Sequence, residues 1–79
     1  MTVPMSEHQY LVVIEHEGDS WGAYCPDLPG LGVVADTREE VEGLIREAVP
    51  FHLEGLRDAG EAIPPPAAVA TALVDVPAA

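Results

Sequence analysis

Between Tyr24 and Glu40 the chain reads Tyr24-Cys25-Pro26-Asp27-Leu28-Pro29-Gly30, then a short apolar run, then Asp36-Thr37-Arg38-Glu39-Glu40. Two prolines and a glycine within five residues impose a stiff, non-repetitive turn, because each proline fixes its own φ and removes a backbone donor. Thr37 followed three residues later by Glu40 has the spacing of a helix capping box. The local chemistry therefore writes a strand, a rigid joint, a second strand and a capped helix in that order.

The flanking segments extend this pattern. Tyr10-Leu11-Val12-Val13-Ile14 is a β-branched and aromatic run of five apolar residues, too short for a helix and suited to a strand spanning His8 to Glu17. Glu17-Gly18-Asp19-Ser20 supplies turn residues, so Trp21 to Cys25 returns as the second strand of a hairpin. Leu31 to Ala35 forms a third. From Arg38 to Ala59 apolar residues recur at 41, 44, 45, 48, 49, 53 and 56, and His52 falls on the same stripe. Gly60 stands where a C-terminal cap belongs. Pro50 removes the hydrogen bond to the Arg46 carbonyl and disfavours helical geometry at Val49, which predicts a kink or a break into two shorter helices. After the prolines at 64 to 66, Ala70 to Val76 reads as a last strand. The expected fold is α+β in the order β-β-β-α-β. The final strand follows a helical crossover and would join in parallel, making the sheet mixed.

Seventy-nine residues suffice for one domain, here expected over residues 8–76 with a flexible arm at 1–7 and a tail at 77–79. A domain this small buries only about 60% of its unfolded surface. Its single cysteine, Cys25, forms no internal disulfide, and the histidines lack zinc-site spacing. Self-association is the remaining common source of stability. Both faces of the first strand are apolar, with Tyr10, Val12 and Ile14 on one and Leu11 and Val13 on the other, while one helix covers one face. Leu31, Val33 and Leu73 are expected on the uncovered face. Trp21 and Tyr24 serve either as core or as interface anchors, so the candidates for a partner or oligomer interface are Leu11, Val13, Trp21, Tyr24, Leu31, Val33 and Leu73.

Fourteen acidic against three basic residues give a formal charge of -11, which repels phosphate backbones and argues against direct nucleic-acid binding. A basic protein partner fits this charge; solubility alone is the plainer account. Without an apolar run of membrane-spanning length or a signal-peptide pattern, the chain reads as soluble and cytoplasmic.

These residues resemble the HicB-like antitoxin family over roughly residues 8–66. The likeness is carried by Tyr10 to Glu15, Trp21-Gly22-Ala23-Tyr24, Pro26-Asp27-Leu28-Pro29-Gly30, Asp36-Thr37-Arg38-Glu39-Glu40 and His52-Leu53-Glu54. The resemblance implies a partial ribonuclease-H-like fold, assembly as a homodimer or higher homo-oligomer, and a small basic, mRNA-cleaving HicA-like toxin as partner. Many members carry a C-terminal DNA-binding segment. This chain reaches Ala79 without one, so operator binding is not carried over. Leu31 follows the turn glycine where members often have cysteine.

Catalysis, cofactor and metal are not expected. A ribonuclease-H site needs converging carboxylates, one of them near the middle of the first strand, where Leu11 to Ile14 is uncharged. Glu15 and Asp75 could approach only if the first and last strands were neighbours. His52 reads as a partly buried helix residue, Cys25 as packing, and Asp27 as the cap of its own turn. The leading expectation is an antitoxin that covers its toxin. A stand-alone homo-oligomer of unknown ligand comes second, and a divergent metal-dependent nuclease last.

Overall fold

The computed structural model describes residues 9–78; the arm expected over residues 1–7 lies outside them. Three strands, β1 (Val13–Glu17), β2 (Ser20–Tyr24) and β3 (Gly32–Ala35), precede one helix, α1 (Arg38–Asp58). The strands form an antiparallel meander in the order β1-β2-β3. β1 ends at Glu17, as expected, but begins at Val13 rather than His8, because β2, paired to it from the turn, ends at Tyr24. Glu17 faces Ser20 across the two-residue loop Gly18-Asp19, which places Val13 opposite Tyr24. Gly18 takes a φ of 61° at the first loop position, the left-handed geometry that matches the twist of paired strands.

The proline-rich joint is two consecutive β-turns. The Leu28 amide donates to the Cys25 carbonyl at 3.1 Å and the Leu31 amide to the Leu28 carbonyl at 3.3 Å. Pro26 and Pro29 each occupy the second position of a turn, where a φ near −65° is required. Gly30 follows Pro29 with a φ of 85°, as a type II turn demands. The joint is packed as well as stiff, since Cys25 and Leu28 are buried.

Thr37 caps α1 from an extended conformation, its hydroxyl oxygen accepting from the Glu40 amide at 3.1 Å. The second half of the expected box differs in detail: the Thr37 hydroxyl donates to the Glu40 carboxylate at 3.0 Å. At the other end the Gly60 amide donates to the Arg57 carbonyl and the Glu61 amide to the Leu56 carbonyl, with Gly60 at a φ of 73°. This pair of bonds is a Schellman cap. Between the caps the helix runs unbroken through Pro50, so two shorter helices do not form. Arg46 and Pro50 are both exposed, and water can take the carbonyl that Pro50 leaves without a donor.

Val41 and Ile45 lie one turn apart and are buried against Ala23 of β2. Val12, Ile14, Trp21, Leu31, Val33, Ala35 and Val49 close around them. Burying an aliphatic side chain contributes about 1.5–3 kcal/mol, so these residues supply most of what holds a chain of this size together.

The expected fifth element is corrected. Ala70–Val76 is not a strand, and the sheet is antiparallel, not mixed. β propensity expresses itself only where a neighbouring strand offers hydrogen bonds. Here the preceding residues are held elsewhere.

Candidate functional site

Alternation along the three strands sorts their side chains. Ile14, Trp21, Ala23, Val33 and Ala35 pack toward α1, while Val13, Glu15, Glu17, Gly22, Tyr24, Gly32 and Val34 alternate to the opposite face. No described element covers that face. Val13 pairs with Tyr24, Tyr24 with Gly32, and Gly22 lies between Glu15 and Val34. The result is a shallow apolar patch flattened by two glycines and bordered by two carboxylates. Tyr24 is 40% and Val34 75% exposed.

The interface candidates therefore divide. Val13 and Tyr24 are on the open face, and Leu73 is exposed in the C-terminal segment. Leu11 is half-buried just ahead of β1. Trp21, Leu31 and Val33 are instead packed against the core, so the expectation that Leu31 and Val33 lie on the uncovered face is corrected. β3 starts at Gly32, and its alternation turns Val33 inward and Val34 outward. Trp21 is further covered by His16, its cross-strand partner, whose ring stacks on the indole at a centroid distance of 4.0 Å and an interplanar angle of 4°. The strand register contains that contact, and counting back across Gly18-Asp19 would have found it. Val34 was equally accessible to a correct choice of phase.

Asp27, expected to cap its own turn, instead directs its carboxylate to a distant segment. One carboxylate oxygen accepts from the amides of both Ala67 and Ala68 at 3.0 Å. The Tyr10 hydroxyl donates to the Pro64 carbonyl. Together these bonds carry residues 63–68 from the start of the first apolar run across to the β2–β3 joint. Beyond this clamp every residue from 69 to 78 is exposed. No local motif signals a bond spanning 40 residues, although a lone carboxylate in a rigid turn was visible.

Next to the outer edge of β1 lies a groove of about 390 Å³, walled by Val12, Ile14, Ile45 and Val49, with Glu42 and Arg46 on its rim. Glu42 bridges Arg38 at 3.0 Å and Arg46 at 3.8 Å along the helix. The pairs are largely exposed and contribute little stability. Among the described residues no group of three or more His, Cys, Asp or Glu side chains is arranged to hold a metal ion. Glu15 and Asp75 are not on neighbouring strands: Asp75 lies in no strand, and among the described residues β1 pairs only with β2. No described helix is long and apolar enough to cross a membrane.

The arrangement defines a small α+β domain, a three-stranded antiparallel sheet with one helix on one face. Residues 10–77 match the family model of the HicB-like antitoxin of bacterial toxin-antitoxin systems, and the chain belongs to that family. It is 34% identical over 74 residues to Antitoxin HicB 2 of Photorhabdus laumondii, covering 89% of this chain and 50% of that protein. It is also 34% identical over 55 residues to an uncharacterized 14.9 kDa protein of the rep-hol intergenic region of Haemophilus phage HP1, covering 70% of this chain and 41% of that protein. The chain thus spans half or less of the length of these curated relatives. No solved structure matches it.

Proposed function

We propose that this chain is a HicB-like antitoxin that neutralises a small basic, mRNA-cleaving HicA-like toxin by protein–protein contact in the cytoplasm. It acts by covering the toxin, not by chemistry of its own. The observation that carries this reading is the open sheet face, where the patch of Val13, Tyr24 and Val34 is bordered by Glu15 and Glu17. An apolar centre with an acidic border complements a basic partner: the centre supplies affinity, and the charge, within a chain of net -11, speeds encounter.

The β-β-β-α order is compatible with a partial ribonuclease-H-like fold in which architecture is kept without catalysis. Self-association as a homodimer or higher oligomer belongs to the same reading, because a core centred on three buried residues leaves considerable apolar surface outside. The exposed apolar C-terminal segment favours self-association even if a toxin partner is absent, which is the ground for the second reading as a stand-alone oligomer.

Co-expression tests the proposal. If a small basic protein is encoded beside its gene, the full chain produced with it should co-purify with that protein and restore growth. Continued growth arrest with no co-purification would contradict the antitoxin reading.

A further inference from the structure

Among the described residues the fold leaves a strand-like segment without a sheet, and of the two open sheet edges, those of β1 and β3, the β1 edge borders the apolar groove. We infer that the segment and this edge meet between copies: residues 69–76 of one chain pair along the outer edge of β1 in a second copy, and the exchange is reciprocal. This deepens the self-association part of the proposed function by naming the interface.

Three observations converge on it. Residues 69–78 are all exposed, with Val69 at 87%, Leu73 at 103%, Val74 at 78% and Val76 at 78%. That much exposed apolar surface in one run marks a contact site. Second, a strand beside β1 in the same chain would have to start near Tyr10. The residues held there are prolines without amide donors, beginning with Pro64, and Ala67 and Ala68 are then bound by Asp27 at the β2–β3 joint. The clamp thus directs the segment away from its own free edge. Third, the groove beside β1 lies where a neighbouring strand would place every second side chain.

The segment fits that position. Alternation divides it into Ala70, Ala72, Val74 and Val76, apolar throughout, and Val69, Thr71, Leu73 and Asp75. The first set would fill the groove over Val12, Ile14 and Val49. The second would extend the open face next to Val13. Extended, eight residues reach about 26 Å, against about 17 Å for the five of β1. Electrostatics favour this route, since two copies of net charge -11 repel, yet residues 62–78 carry one charged side chain, Asp75. Reciprocal exchange of an identical segment is a low-cost route to a dimer with twofold symmetry.

Light scattering on the full chain and on a Val74→Asp, Val76→Asp variant tests the inference. Both residues are exposed in a single copy, so the variant should keep its circular dichroism spectrum. The expected result is a native mass near twice 8.3 kDa and a variant mass near 8.3 kDa. A native monomer at micromolar concentration would overturn both the exchange and the self-association reading. A dimer that persists in the variant would overturn the exchange alone and move the interface elsewhere. Neither result bears on toxin neutralisation, which co-expression reads independently.

Discussion

Asp27 holds two amides from a segment forty residues further along the chain, and at the residue scale it is the most consequential side chain outside the core. A half-buried carboxylate with two charge-assisted bonds contributes about 1–2 kcal/mol once solvent screening is allowed for. Asp27→Ala should lower the urea midpoint by a corresponding amount and speed hydrogen exchange at Ala67 and Ala68. An unchanged exchange rate at those amides would show that Asp27 does not hold them. Legibility at this scale follows the range of the interaction. The Thr37 cap, the Gly60 cap and the two proline turns involve neighbours within five residues, so residue type and spacing suffice to read them. Asp27 and Tyr10 reach partners whose proximity only the folded chain creates.

At the scale of elements, the three strands and the helix were written in alternation, turn chemistry and helical periodicity, and they stand where those signals place them to within a few residues. β1 keeps its expected end at Glu17 but is shortened at its start, because the register set from Gly18 runs out of β2 at Tyr24. That same register sends Val34 outward and packs Trp21, Leu31 and Val33 inward. The last strand was misread because β-branched composition gives a preference, whereas a strand needs an edge to pair with. Pro50 is the clearest conflict between local preference and tertiary packing. A mid-helix proline costs about 3 kcal/mol, yet α1 continues because Val41, Ile45 and Val49 anchor it to the sheet. Pro50→Ala should therefore raise stability by about 1–3 kcal/mol, reduced by the contacts of the Pro50 ring, which also lines the groove beside β1. Thermal unfolding checks this. A lower melting temperature would mean that the groove needs the proline ring more than the helix needs its missing bond.

For the whole molecule, two surfaces remain after the helix has covered one side of the sheet: the open face with its acidic border and the exposed C-terminal segment. The account gives the first to a basic partner and the second to another copy of the chain. Its central claim is that the open face binds the toxin. The most direct measurement is calorimetric titration of a small basic HicA-like toxin with the native chain and with a Tyr24→Asp, Val34→Asp variant. These residues are exposed, so the variant should fold as the native chain does. Loss of two central apolar anchors should weaken binding by about 100-fold, the range of interface hot spots. Equal affinity of the native chain and the variant would contradict the claim.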